Sequence, residues 1–312
     1  MHAQGAYGNG DSPRAQGGLN MVRSLLFIPG NNPGMLLNAD VHGADAIILD
    51  LEDAVSPDQK DAARILVRNA VNALSYDTQL VIRINPLGTA FYEDDLKAVV
   101  PLKPDFIMPT KVDGEEYIRD LAGRLDALEE ENGFEKESIG IIPLIETAEG
   151  IENAFRIAKA SKRVFGLFLG AEDYSADLRA HRTKEGDEIL YARGRILNAA
   201  RAAQIEAFDT PFTDVNDDEG LEKDAFFARE MGFTGKAAIS PRHVSGINEA
   251  FSPTKAEIEY ANEVLMAIEE GIRLGKGAVS LRGKMIDKPI VDRAKRVVET
   301  AKYLGLGGSG NE

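Results

Sequence analysis

The 312-residue sequence contains no cysteine, and that absence closes three routes at once. There can be no disulfide, no thiolate metal site and no cysteine nucleophile. Histidine is scarce, with four in all. His2 falls in the leader, His42 is expected at a helix end, and His181 and His243 are expected in loops. None of them has the partner spacing of a histidine-rich metal site. No run approaches the roughly 18 uncharged apolar residues that a membrane span needs. No apolar signal-peptide core stands near the start, so a cytoplasmic location is expected. Positive charge is in deficit: the formal net charge of -15 argues against nucleic acid as a partner, because phosphate neutralisation needs a basic surface.

With 44% hydrophobic residues the chain can bury a sizeable core. Residues 1–20 are rich in Gly, Asn and Gln and read as a disordered leader or expression remnant, with Met21 as a natural start; residues 307–312 read as a flexible tail. Between them, eight short apolar runs recur at 23–30, 45–52, 79–85, 104–110, 139–146, 163–170, 206–212 and 234–240. Each is followed by a helical segment, and strands alternating with helices imply parallel pairing through right-handed crossovers. The expectation is an α/β fold, a closed (β/α)8 TIM barrel over 21–250. A C-terminal helical extension over 251–306 carries helical stretches at 254–275 and 286–304. An open doubly wound sheet is the alternative, but eight units without a Gly-rich phosphate fingerprint suit a barrel better.

In such a barrel the chemistry sits at the C-terminal strand ends. Those ends read Glu52 and Asp53, Arg83, Lys111, Glu146, Glu172 and Asp173, and Asp209. Glu172 and Asp209 are taken as ordinary loop polarity. The remaining carboxylates would repel one another without a cation. Magnesium resolves that, since it takes one or two protein carboxylates and keeps its other positions for water and substrate oxygens. Glu146 and Asp173 are the pair expected to ligate it. Arg83, flanked by Ile82 and Ile84, is expected at the barrel mouth. It either forms an ion pair with Glu52 or Asp53 or grips a substrate carboxylate at two points. Metal plus arginine suggests an anionic, oxygen-rich substrate such as a keto acid.

The motifs "RSLLFIPGNNPGML", "ILDLEDAV", "IRINP", "PLIETAEG", "LGAEDY" and "GKMIDKPIVDRA" together resemble the citrate lyase beta-subunit family. That family lies within the metal-dependent HpcH/HpaI-like aldolase superfamily, beside malyl-CoA and citramalyl-CoA lyases. The likeness runs from about Arg23 to Leu304. The resemblance implies that Glu146 and Asp173 bind Mg2+, that Arg83 binds the substrate carboxylate, and that Glu52 and Asp53 act through metal-bound water. It implies cleavage of a citryl thioester to oxaloacetate and an acetyl thioester. Because the chain has no cysteine, the thioester comes on an acyl carrier protein or on coenzyme A. A stand-alone malyl-CoA or citramalyl-CoA lyase, or a non-catalytic subunit of a lyase complex, are the alternatives.

Several roles stay open at this point. The enolate oxygen needs donors, either backbone N–H groups or Arg23 near the first strand's start. Lys111 is a substrate-binding candidate, and a Schiff-base lysine is the competing mechanism. Lys159, Lys162 and Arg163, or Arg179, Arg182 and Lys184, either form a basic patch for the carrier or are ordinary solvated charge. Asp287 either caps a helix starting near Pro289 or, as the resemblance implies, reaches from a C-terminal lid into a neighbouring subunit's site as a catalytic acid. The second reading makes the protein a homo-oligomer, a trimer or hexamer, with other citrate lyase subunits as further partners.

Overall fold

The alternation of strand and helix expected from the sequence runs from Ser24 to Phe251 in a computed structural model that describes residues 21–275 and 278–306. The readings made for the leader, for His2 and for the tail lie outside the described residues. The strands are β1 (Ser24–Pro29), β2 (Ala46–Asp50), β3 (Gln79–Ile84), β4 (Phe106–Pro109), β5 (Gly140–Ile141), β6 (Leu144–Ile145), β7 (Gly166–Leu169), β8 (Glu206–Asp209) and β9 (Gly235–Ala238). The helices between and after them are α1 (Pro33–Leu37), α2 (Lys60–Ala73), α3 (Tyr92–Val99), α4 (Glu115–Glu131), α5 (Ala148–Lys159), α6 (Ala171–Asp177), α7 (Leu190–Ala203), α8 (Asp218–Met231) and α9 (Pro241–Phe251).

All pairings in the main sheet are parallel, in the order β5-β4-β3-β2-β1-β9-β8-β7-β6. The sheet is TIM-barrel-like and has nine strands where eight were expected. The expected fifth strand is divided at Ile142–Pro143: β5 pairs with β4, while β6 pairs with β7. Proline has no N–H to give to a ladder, so the run cannot continue unbroken through it. These strands are buried almost throughout, as parallel strands covered on both faces are.

Side-chain alternation assigns the two faces. Leu25, Ala46, Ile48, Val81, Phe106, Met108, Ile142, Leu144, Phe168, Phe208 and Ala237 form one apolar cluster on the inner face. Two residues beyond Ile48, Val81 and Leu144 stand Asp50, Arg83 and Glu146, which therefore continue the inner face to its C-terminal rim. Asp209 and Lys236 have the opposite parity and turn toward the helices. There Asp209 meets Arg193 of α7 at 2.8 Å and Lys236 at 2.6 Å, and Asp224 of α8 meets the same two cations at 2.7 and 2.6 Å. Asp209 is thus part of a buried ion network, not the loop polarity expected. His243 is likewise buried within α9, not in a loop.

Two compact units divide the described chain, Val22–Ala250 and the stretch from Phe251 onward. The second holds α10 (Lys255–Arg273), an antiparallel hairpin of β10 (Val279–Leu281) and β11 (Lys284–Ile286), and α11 (Lys288–Tyr303). Ala261, Val264, Ile286 and Ala294 form its small core. Thr254 and Glu257 open α10 with a reciprocal capping box. The hairpin was not expected from the sequence, which had placed a helix from residue 286. Among the described residues no helix is long and apolar enough to cross a membrane.

Candidate active site

The rim is built outward from Asp50. This carboxylate, 1% exposed, accepts from Arg83 Nε at 2.7 Å and Nη2 at 2.5 Å in a two-point pair. Arg83 Nη1 lies 3.3 Å from Glu52 Oε2, and the guanidinium sits over the Phe27 ring at 4.9 Å. Glu52 in turn lies 3.2 Å from the Lys111 ammonium, which is 3.3 Å from Asp173. The Lys111 backbone N–H donates to Glu146 Oε1 at 2.8 Å. Lys111 itself has a left-handed backbone (φ 53°), uncommon for a residue other than glycine. One continuous chain of contacts thus links Asp50, Arg83, Glu52, Lys111, Asp173 and Glu146.

The loop after β2 is held from below. Buried Lys60 donates to the carbonyls of Leu51 and Glu52 at 2.8 and 2.7 Å, and Asn85 donates to the Leu51 carbonyl at 2.9 Å. Glu146 is fixed differently. Thr147 caps α5 by accepting from the Gly150 N–H at 3.0 Å, which halts the strand at Glu146 and begins the helix. Gly170 faces Glu146 so closely that a Cβ there would stand 2.7 Å from Glu146 Oε2. Only glycine leaves room for that carboxylate.

Electrostatics follow from burial and excess acid. Burial pushes the Glu146 carboxyl up to about 8; the Lys111 amide opposes the shift, while the charges of Asp173 and Glu52 add to it. Burial raises Glu52 too, against the pull of Arg83. Lys111 is shifted upward: burial alone would lower it, but the Glu52 charge and hydrogen bond outweigh that. A lysine held protonated so firmly is poorly suited to Schiff-base chemistry, which needs the free amine.

The structure brings together Glu52, Arg83, Lys111, Glu146 and Asp173. Asp53 lies exposed beside them, its backbone N–H bonded to Glu52 Oε2 at 2.9 Å. Arg23 is a correction. It precedes β1, at the opposite end of the strands, and its guanidinium and backbone N–H bond to Asp45 at 2.8 Å. Glu172 pairs with Arg182 at 3.0 Å, away from the contact chain. Arg163 is also a correction: it is buried, bonded to Glu129, Asp126 and the Ile139 carbonyl, and cannot belong to a surface patch. Of the second cluster, Arg182 also holds Glu188 and Lys184 holds Asp214 and Asp217, so acids offset both. In the second unit, exposed Asp287 caps α11 by accepting from the Ile290 N–H at 3.2 Å. Asp50 was missed altogether, although it is the first acid of the same "DLED" run.

Among the described residues no cluster of three or more His, Cys, Asp or Glu forms a complete metal cage. Glu146 and Asp173 nevertheless fit a hard dication of the magnesium type, which needs only one or two protein carboxylates. Burial, with the charges of Asp173 and Glu52 adding to it, suppresses the acidity of Glu146, and Gly170 leaves space against its Oε2. Acids are crowded here: Asp50, Glu52, Asp53, Glu146 and Asp173 gather around Arg83 and Lys111, with Lys60 beneath the loop after β2.

Known proteins resemble this chain along most of its length. The beta subunit of citrate lyase from Leuconostoc mesenteroides subsp. cremoris is 44% identical over 280 residues, covering 89% of this chain and 93% of that protein. The mitochondrial citramalyl-CoA lyase of Rattus norvegicus is 31% identical over 293 residues, covering 90% and 86%. The crystal structure of CitE from Mycobacterium tuberculosis in complex with magnesium, acetoacetate and coenzyme A superposes with a TM-score of 0.76 at 31% identity, covering 90% of this chain and 98% of that one. The profile of the HpcH/HpaI aldolase/citrate lyase family matches residues 23–241, and the chain belongs to that family.

Proposed function

We propose that the protein is a cytoplasmic, magnesium-dependent carbon–carbon lyase that cleaves a citryl thioester to oxaloacetate and an acetyl thioester. The observation that carries this reading is the meeting of Glu146 and Asp173 with Arg83 on one rim, in a chain 44% identical to a citrate lyase beta subunit. The magnesium, acetoacetate and coenzyme A of the M. tuberculosis complex support both the metal and the class of substrate.

In the reaction the hydroxyl proton leaves and the C2–C3 bond breaks. Its electron pair passes to the thioester half as an enolate, which then takes a proton at carbon. Glu146 and Asp173 would hold the ion, which supplies Lewis acidity to the hydroxyl and carboxylate of the keto-acid half. Arg83 meets the second carboxylate and fixes its direction. Lys111, kept protonated by Glu52 and Asp173, offers a further donor to the anionic substrate. Glu52 and Asp53 would act on the ion through its water. Backbone N–H groups remain as donors to the enolate oxygen, Arg23 being at the wrong end of the strands. Asp287 is the acid that would serve the enolate carbon of a neighbouring subunit, in a trimer or hexamer. The carrier is an acyl carrier protein or coenzyme A, with other lyase subunits as further partners.

We also read the curled sheet as a closed (β/α)8 barrel. Its two end strands are consecutive pieces of one run. Ile141 exchanges hydrogen bonds with Arg163 and Phe165 on one side, at 2.8 and 2.9 Å, while Ile142 donates to the Ile107 carbonyl on the other at 3.0 Å. The residues linking the two end pieces therefore bond to both flanks.

The test is to give the isolated protein citryl-CoA, malyl-CoA and citramalyl-CoA with magnesium and measure keto-acid release. Citryl-CoA is expected to be cleaved fastest. Preference for citramalyl-CoA would favour the second reading, which the 31% identity to a citramalyl-CoA lyase supports less well. No turnover of any thioester by folded protein would leave only a non-catalytic role.

A further inference from the structure

In a chain of net charge -15, residues 279–306 run the other way, with seven Lys and Arg against three Asp and Glu. Most of that excess lies on α11, which turns Ile290, Ala294, Val297 and Val298 toward the small core of the second unit. The helical period places Lys288, Asp292, Lys295, Arg296, Glu299 and Tyr303 on the opposite face. Lys288 is paired with Asp292 inside the helix. Arg293, Lys295, Arg296 and Lys302 are exposed and stand in no ion pair among the described residues. Their field reaches a neighbour: the Lys288 hydrogen bond, joined by the charges of Lys295 and Arg296, holds the Asp292 carboxyl below its ordinary range. The contrast is α7, which carries three arginines and no acid, yet Arg193 meets Asp209, Arg195 meets Glu152 and Arg201 meets Glu206. The strip from Lys288 to Lys302 is about 21 Å long. It is the convex side of a helix, unlike the cleft a small molecule takes. Tyr303, 55% exposed, adds an aromatic ring at its far end.

We propose that the outer face of α11 is the docking surface for the thioester's carrier, and that this carrier is an acidic acyl carrier protein. The inference rests on the lyase reading above and deepens it by naming where the carrier sits. An acidic partner is repelled by the chain as a whole, so it must meet the chain where cations are not already paired. Nucleic acid would need a wider basic surface than one helix face. Coenzyme A concentrates its charge on a few phosphates, whereas a folded acidic protein spreads carboxylates over a helix length, which matches the strip. The cations supply steering and register, and Tyr303 supplies the aromatic contact that charge alone lacks. Position supports the reading as well. Asp287, the acid proposed above for the enolate carbon, caps this same helix. A carrier seated on α11 therefore stands within one helix length of that acid, about 24 Å.

The probe is a citrate lyase acyl carrier protein lacking its prosthetic arm, labelled and titrated with the whole protein by fluorescence anisotropy. Arg293→Glu, Lys295→Glu and Arg296→Glu together should weaken its binding by about tenfold or more. Raising salt from roughly 50 to 500 mM should weaken the wild type by a similar factor and the triple variant by less than about twofold. Cleavage of citryl-CoA, which needs no docked protein, should keep its kcat/KM within about twofold in the variant. Should the triple reversal not fold, Gln at the same three positions keeps the helix and should give a smaller loss in the same direction. Carrier binding unchanged by the reversal, an equal loss for citryl-CoA, or displacement of the carrier by coenzyme A each overturn the proposal. So do tighter binding of a DNA duplex, a change of the protein's own oligomeric state on reversal, or a wild type that does not bind the carrier. The titrations need no turnover, so failure of the lyase reading shows separately, as absence of keto-acid release from every thioester.

Discussion

Two groups of charge lie on opposite faces of the sheet in this protein, and they have opposite fates. On the helix side of the sheet, Asp209 and Asp224 meet Arg193 and Lys236, two acids against two cations. On the inner face, Asp50, Glu52, Asp173 and Glu146 gather around Arg83 and Lys111. The first group balances itself and is sealed; the second crowds its acids and keeps partly exposed members, Lys111 and Asp173 at 41% each. One step along a strand moves a residue from one face to the other. Parity, more than proximity to a strand end, separates the structural acid from the chemical one.

That contrast can be broken most forcefully at Glu146. Glu146→Gln or Asp173→Asn should lower citryl-CoA cleavage by roughly 10³-fold, the scale of several kcal/mol of transition-state stabilisation. The thermal midpoint of either variant, read by calorimetry, should not fall. A parallel loss of stability and activity would mean that the inner group is structural as well.

Lys236→Met makes the reverse prediction. Removing one cation from a buried pair leaves uncompensated charge and costs about 3–5 kcal/mol. Urea unfolding should show that loss, while KM for the thioester measured at a permissive temperature stays close to wild type.

A smaller effect is expected from pH. Burial would raise Asp224, but Lys236 and Arg193 together hold its carboxyl below the ordinary range. Its contribution to stability is therefore present above the unfolded carboxylate value, near 4, and is lost as pH falls through the lowered folded value. Asp224→Asn should flatten the acid limb of a stability-against-pH curve, and an unchanged slope would count against the pairing. Smallest of all, borohydride with keto acid should leave Lys111 unmodified by mass spectrometry, because its ammonium is held protonated. An adduct at that residue would replace the metal-centred reading.

Much of this was legible in the sequence for reasons that can be named. Glu146 ends an almost wholly apolar run, so its carboxyl had to have a purpose, and Arg83 sits between isoleucines with the parity of the inner face. Asp50 escaped notice because it is the last residue of its own strand and reads as part of "IILD", while attention fell on the two acids after it. Arg23 does stand near the first strand's start, as expected, but that is the end away from the C-terminal rim, so it cannot serve an enolate there. Arg163 looked like surface charge because its partners, Asp126 and Glu129, are more than thirty residues away in sequence. The β10–β11 hairpin has only three residues per strand around Arg282 and Gly283, both at positive φ, too short for alternation to announce.

The division of one strand at Pro143 bears on segment exchange between relatives. Leu144 and Ile145 take their register from Phe168 and Leu169, not from β4. Glu146 therefore falls opposite Gly170, three residues ahead of Asp173, by a frame that two adjacent strands define between themselves. A chimera that replaced everything before Pro143 with the corresponding part of a distant homologue would keep the spacing of those two carboxylates. The side chains that recognise the organic ligand, Arg83 and its supports, would change as a separate cassette.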